Sequence, residues 1–400
     1  MRKLFIALLA MLMMGILIAP ATAQDRWDGA DDLDVNPLQC GMADMDMDDE
    51  SMDDEEMDDE EMDDEESMDD EDSMDDMGME YDGGQPEGAP DLAGQDITLV
   101  DVPKLIGIGY FDATHQGMQE AAEELGNVTV VQGGTTEANI DDQVADIENY
   151  IAGGEVNGIL FAANDPVAIS PVLQRALGEG LHVVGYDANS NPDAREWFVN
   201  QAEFNGIGKA MIDSLVAEKG EDASFGIVTS TFTTPNQARW IAEMWAYASD
   251  CYPELEWLET VEAQEDAVLS FNQANTLINK YGEDLDGILG MTSVATPSSA
   301  DAVTQAGLCG EVAVIGLATP NAMKPYVNDG CVESVVLWNP IDLGYAAVYI
   351  TRAIIDGEFA PGDTSVMAGR LGELQVVNGS EVLLGAPFIF NADNINDFDF

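Results

Sequence analysis

Positive charge is what this sequence has least of: 13 Lys and Arg stand against 78 Asp and Glu, a formal net charge of -65 over 400 residues. Nucleic acids and anionic membranes are bound by basic groups that displace counterions, so both are poor partners for such a surface. Histidine is nearly as scarce, with only His115 and His182. His182 reads as flanking the strand it begins, and His115 as opening a helix. There is no Gly-x-Ser-x-Gly elbow, no His-x-x-x-His pair and no Gly-x-x-x-x-Gly-Lys phosphate loop. Gly107 and Gly109 start a dinucleotide fingerprint, but Asp112 takes the place of its third glycine. An enzyme, a cofactor and a metal centre are therefore not expected. Beyond the N-terminus no apolar run approaches the roughly 20 residues of a membrane-spanning helix, so direct membrane insertion is not expected either.

The N-terminus carries an export signal. Arg2 and Lys3 precede an apolar run over 4–18, and Ala21-Thr22-Ala23 supplies small residues for a signal peptidase. Residues 1–24 read as a signal peptide, and the mature chain is expected in the periplasm or outside the cell, associated with the envelope. Cys40 lies too far from the apolar run to suit a lipid anchor. Residues 25–96 read as a disordered, Met-, Asp- and Glu-rich linker whose core repeats over 44–76. A calcium loop needs a glycine turn at fixed spacing, and that repeat contains no glycine. Residues 97–400 still hold 45 acidic side chains against ten Lys and Arg. Such a surface suits a concentrated-salt medium, where its self-repulsion is screened.

From residue 97 short apolar runs alternate with amphipathic stretches, the pattern of parallel α/β architecture. Strands are expected at 97–102, 128–131, 158–162 and 182–186, with helices at 116–125, 140–151 and 166–177. A second series places strands at 224–228, 255–260, 287–291, 312–315 and 332–337. Its helices fall at 206–218, 236–249, 267–280 and 297–306. Roughly 300 residues exceed what one core usually fills, so two lobes are expected, with a ligand between them at the carboxyl ends of the strands. Cys309 and Cys331 each stand just before an apolar strand of the second series, and neighbouring parallel strands would bring them together as a disulfide. Whether Cys40 and Cys251 pair is left open.

Polar and aromatic residues gather at the expected strand ends. Lys104, Tyr110 and Phe111 follow the first strand and Asp187 the fourth; Asn236 and Gln237 open a helix, and Trp338-Asn339 lies where the chain turns. Such groups offer a sugar donors and acceptors beside an aromatic face.

Three segments carry a resemblance: Pro103-Lys104-Leu105-Ile106-Gly107-Ile108-Gly109-Tyr110-Phe111, Ala318-Thr319-Pro320-Asn321-Ala322-Met323-Lys324-Pro325-Tyr326-Val327, and the terminal stretch from Ile389-Phe390-Asn391-Ala392-Asp393-Asn394-Ile395 to Asp399-Phe400. They resemble the periplasmic sugar-binding proteins of ABC importers, in the branch with the autoinducer-2-binding and rhamnose-binding proteins. The resemblance covers 97–400 and implies a type I periplasmic-binding-protein fold: two Rossmann-like lobes joined by three crossovers. It divides the chain into a first lobe of 97–200 and 338–375 and a second of 201–337 and 376–400. It also implies a monomer that binds a monosaccharide and delivers it to a membrane permease. Carried over residue by residue, the autoinducer-2 pocket's lysine falls on Lys104, its first aspartate on Asp187 and its glutamine on Gln237. Its second aspartate becomes Asn236, its proline Met291 and its alanine Ser293. Exchanging an acceptor-only carboxylate for an amide changes which hydroxyls can be satisfied, which favours a rhamnose-like or other monosaccharide over autoinducer-2. A secreted enzyme on a sugar and a sugar-responsive repressor are the weaker alternatives, the latter because a basic helix-turn-helix is missing where the export signal stands.

Overall fold

The structure, a computed structural model, describes Val35, residues 37–40 and residues 80–400. The expected signal peptide and the acidic repeat lie outside the described residues. The first lobe runs β1 (Ile97–Val102), α1 (Gly109–Leu125), β2 (Val128–Gln132), α2 (Ile140–Gly153), β3 (Gly158–Phe161), α3 (Pro166–Gly178), β4 (His182–Tyr186) and β5 (Trp197–Asn200). A first crossing at 201–203 leads to α4 (Phe204–Lys219), β6 (Ser224–Thr229), α5 (Pro235–Cys251), β7 (Glu256–Glu262) and α6 (Ala267–Tyr281). The second lobe continues with β8 (Gly287–Gly290), α7 (Ala295–Ala306), β9 (Ala313–Gly316), α8 (Pro320–Asn328) and β10 (Ser334–Leu337). The chain returns at 338–339 for α9 (Pro340–Asp356), β11 (Ser365–Met367), β12 (Glu373–Val377) and β13 (Glu381–Leu383), and crosses a third time to β14 (Phe388–Asn391).

Each lobe is built on a parallel sheet. The first has the order β2-β1-β3-β4-β5-β13-β12-β11, parallel from β2 to β13. The second is β7-β6-β8-β9, extended by a parallel bridge from Leu317 to Val336 in β10, which pairs antiparallel with β14. Helices cover both faces, so β3, β4, β5, β8 and β9 are buried along their whole length and read as unbroken apolar runs. The nine strands expected over 97–337 are present with ends moved by at most two residues.

Several elements depart from expectation. Helix α1 begins at Gly109, seven residues before the expected start, with Tyr110, Phe111, Ala113 and Thr114 of its first turns buried and Asp112 exposed. His115 therefore lies within a helix instead of opening one. Helix α9 was not expected at all, although 12 of its 17 residues are buried. It packs tightly on α1 through Gly117 and Gly344, where a Cβ would overlap the backbone carbonyls of Ile341 and Thr114. The lobe boundary also shifts. β13 pairs with β5 in the first sheet, so residues 376–383 belong to the first lobe rather than the second.

The linker assignment over 25–96 needs correction at its end. Residues 80–96 dock on the first lobe: the Tyr81 hydroxyl donates to Glu196 O at 2.8 Å, and its ring lies 5.1 Å from that of Trp197. Gly84 N donates to Arg195 O and Glu87 N to Leu177 O, each at 2.8 Å. Arg352, 3% exposed, donates to Leu92 O and Gln95 O, both at 2.9 Å. Tyr81 and the backbone of this stretch supply what charge counting along the linker concealed. Two disulfides are present. Cys309–Cys331 joins the approaches to β9 and β10 with Cα atoms 4.7 Å apart, and Cys40–Cys251 joins the stretch before the repeat to the end of α5, at 5.3 Å. A chain beginning at Gly94 will be less stable to urea than one beginning at Glu80, by roughly 3 kcal/mol or more from Tyr81 burial and the lost hydrogen bonds. Equal midpoints would show that the docked stretch contributes nothing.

Candidate ligand-binding cleft

In both sheets the order 2-1-3-4-5 puts a topological switch point beside the first strand, where the loops after neighbouring strands diverge and leave a crevice. The two crevices face each other across the crossings. Lys104 follows β1, and its loop is held by polar contacts to the next strand. Asn164 Nδ2 donates to Lys104 O at 2.9 Å, while Gln143 Nε2 donates to Ala162 O at 2.8 Å and Pro103 O at 3.1 Å. Gln143 Oε1 in turn accepts from Asn164 N at 3.0 Å. Sequence reasoning missed Gln143 and Asn164 because they act on backbone groups that no motif records.

Asp187 follows β4 with φ 61, a left-handed conformation that Asp tolerates better than most side chains. Its Oδ1 accepts from the Tyr110 hydroxyl at 2.9 Å, and its Oδ2 lies 3.0 Å from Lys104 Nζ. The latter approach is off the hydrogen-bonding direction, so it is an ion pair without an aligned hydrogen bond. The two side chains are only 6% and 4% exposed, which leaves each as the other's principal counter-charge. Tyr110 also accepts from Trp338 Nε1 at 2.9 Å. Burial, then the charge of Asp187, hold its phenol well above the ordinary range, so it remains a donor. Phe111 packs edge-on against Tyr110 and Tyr186. Beneath them Asp101, fully buried, accepts from Tyr186 at 2.7 Å and lies 3.0 Å from His115 Nδ1. His182 lies against Glu196 at 3.0 Å. Neither histidine lines the cleft.

On the second lobe Gln237 Oε1 accepts from Thr229 Oγ1 at 2.6 Å and Ser230 N at 2.8 Å, which turns its Nε2 toward Glu265 Oε1, 3.2 Å away. Asn236 Oδ1 accepts from Gln237 N at 3.0 Å. Met291 and Ser293 follow β8. Trp240, three residues after Gln237 on the same face of α5, lies 5.6 Å from Trp338 ring to ring, and its buried indole N–H has no acceptor among the described residues.

Nine of the ten expected residues line one cavity between the lobes: Lys104, Tyr110, Phe111, Asp187, Asn236, Gln237, Met291, Ser293 and Trp338. Asn339 does not. Its side chain caps α9 by accepting from Ile341 N at 3.0 Å and donates to Asp342 at 2.8 Å. Six further residues of the cavity were missed: the apolar Ile108, Leu317 and Leu337, and Trp240, Glu265 and Thr292. Helical spacing from Gln237 could have found Trp240, whereas Glu265 is hidden in a background of carboxylates. The free volume is about 30 Å³. A ligand of several heavy atoms needs the walls of the cavity to move apart. Among the described residues the one grouping of possible metal ligands is Cys40, Asp250 and Cys251, whose sulfurs are joined in the disulfide.

Asp187→Asn keeps a side chain that accepts the left-handed backbone and removes only the charge. It will destabilise the fold by about 3–5 kcal/mol, since Lys104 is left buried without its partner. Adding Lys104→Met will recover part of that loss in the same urea titration. Additive losses would mean that the two groups are not coupled.

Residues 100–359 match the periplasmic binding protein domain. A crystal structure of a sugar ABC transporter from Actinomyces odontolyticus is 33% identical, with 78% of this chain and 100% of that one covered and a TM-score of 0.63. An ABC transporter solute-binding protein from Clostridium phytofermentas with bound L-rhamnose is 28% identical, covering 76% and 98% at a TM-score of 0.71. LsrB from Clostridium saccharobutylicum in complex with AI-2 is 26% identical, covering 76% and 100%, also at 0.71. The chain spans 61% of the length of a curated relative, the D-ribose/D-allose-binding protein of Pseudomonas aeruginosa, at 24% identity over 216 residues. With the domain matched over well more than half of its length, the chain belongs to the periplasmic binding protein family.

Proposed function

We propose that this chain is the exported solute-binding protein of an ABC importer, which closes on one monosaccharide and delivers it to a membrane permease. The observation that carries the reading is the pairing of two polar walls across one aromatic-lined cavity: Lys104, Asp187 and Tyr110 from the first lobe, Asn236, Gln237 and Glu265 from the second. Charged groups and amides at fixed positions suit a ring of hydroxyls, each of which donates and accepts. Trp240, Trp338 and Phe111 offer flat apolar surface for the C–H face of the same ring. The reading includes export by residues 1–24, action as a monomer, and the repeat as a solvated tether. The solved relative with L-rhamnose supports a rhamnose-like sugar.

Autoinducer-2 is the second reading. Lys104, Asp187 and Gln237 favour it, as does the solved relative in complex with AI-2. Asn236, Met291 and Ser293 weigh against it. Thermal denaturation with a panel of aldoses, deoxy sugars and autoinducer-2 separates the two. A true ligand at a hundredfold excess over its dissociation constant stabilises the folded chain by about 2.7 kcal/mol. L-rhamnose or a related monosaccharide is expected to raise the melting temperature more than autoinducer-2 does. A shift with amino acids or peptides and none with sugars would remove the ligand class.

A further inference from the structure

The cavity carries one charge too many. Of the residues lining it, Lys104 is cationic while Asp187 and Glu265 are carboxylates, and Lys104 is already ion-paired with Asp187 at 3.0 Å. Glu265 comes from the opposite lobe and has no cation of its own. Its position is built with some care. Gln264 and Glu265 both take left-handed backbone, φ 53 and 55, which non-glycine residues adopt rarely and which concentrates at functional sites. The turn is tied to the end of β6 by Ala263 N to Thr229 O at 2.8 Å and Gln264 N to Ser230 O at 2.9 Å, while Asp266 caps α6. Its carboxyl receives Gln237 Nε2 at 3.2 Å and faces the Thr292 hydroxyl.

A neutral sugar brings no charge into this site. When it replaces water, an ionised Glu265 would be desolvated with only a share of Lys104 as counter-charge, an arrangement that buried ions avoid. We propose that Glu265 enters the ligand complex as a neutral carboxylic acid, so that binding of an uncharged monosaccharide takes up one proton from solvent. The acid O–H then donates to a sugar hydroxyl, and Gln237 continues to donate to the carbonyl oxygen. This proposal rests on the reading of the cleft as a sugar site. The titratable groups facing Glu265 are Lys104 after β1, which favours its charged form, and Asp187 after β4, which opposes it. Desolvation is the largest influence and raises its pKa. The residue as a whole keeps partial exposure, but the carboxyl itself meets Gln237 and Thr292 and feels the charge of Lys104.

The sign follows from linkage. A group that holds its proton more tightly in the bound state makes affinity highest at pH below its free-state pKa, and affinity falls as pH rises above that value. Burial already raises the pKa of Glu265 in the ligand-free protein, so the dissociation constant will rise by up to about tenfold per pH unit once pH exceeds that raised value, until the bound-state pKa is passed. Titration calorimetry with the sugar found by thermal shift, at pH 5 to 8 and in two buffers of different ionisation heat, reads both the slope and the proton count. The expected result is uptake approaching one proton in the wild-type protein, and a pH-independent dissociation constant in Glu265→Gln, the isostere of the neutral acid. Three results would overturn the proposal: no proton uptake by the wild type, an unchanged slope in Glu265→Gln, or a preference for an amino sugar that strengthens as pH rises. If no neutral sugar binds at any pH, it is the sugar-site reading itself that fails.

Discussion

An ammonium group with almost no access to water has to be paired, and in this protein the pair is Lys104 with Asp187 at 3.0 Å. Much of the first lobe's architecture bears on that contact. β1 and β4 bring the two loops to the same end of one sheet, Gln143 and Asn164 hold the backbone before and at Lys104, and the left-handed turn at Asp187 sets its carboxylate toward the cleft. Tyr110 and Trp338 then extend the pair into a chain of hydrogen bonds that reaches the second crossing. A site assembled this way is ordered before any ligand arrives, which cuts the cost of binding.

The same chain of contacts explains why the site straddles the crossings. Trp338 is the first residue after β10, so the indole that fixes Tyr110 is carried on a segment that crosses between the lobes. Lys104, Asp187 and Tyr110 are bonded to one another within the first lobe, and Gln237 and Glu265 within the second. Outside the cleft, the docked stretch 80–96 and the Cys40–Cys251 disulfide fasten the two ends of residues 41–79 to different lobes, through Tyr81 on the first and α5 on the second.

How much could be read in advance depended on whether a residue acts through its type or through its neighbours. Nine strands were legible as short, largely apolar runs, whereas β5 and the closing strands β11 to β14 were not. Lys104 was legible because cations are so few, and Asp187 because it stands at a strand's end. The start of α1 and the whole of α9 were not, although α1 exposes Asp112 and 12 of the 17 residues of α9 are buried. Residues 80–96 were taken with the acidic linker on composition, although Tyr81 and the acceptor carbonyls of Leu92 and Gln95 tie them to the lobe. Glu265 was one carboxylate among 45, and only its enclosure opposite Lys104 sets it apart. Asn339 shows the reverse error: a polar residue beside an aromatic looked like a ligand contact and proved to cap a helix.

The central claim is that one ligand is gripped from both lobes at once. Amide hydrogen exchange with and without a saturating sugar tests it directly, because closure slows local opening wherever the ligand makes contact. The account predicts slower exchange in two separate regions: around 104–111 and 186–189 on the first lobe, and around 230–240 and 263–266 on the second. Protection confined to one lobe, or located away from these strand ends, would contradict it.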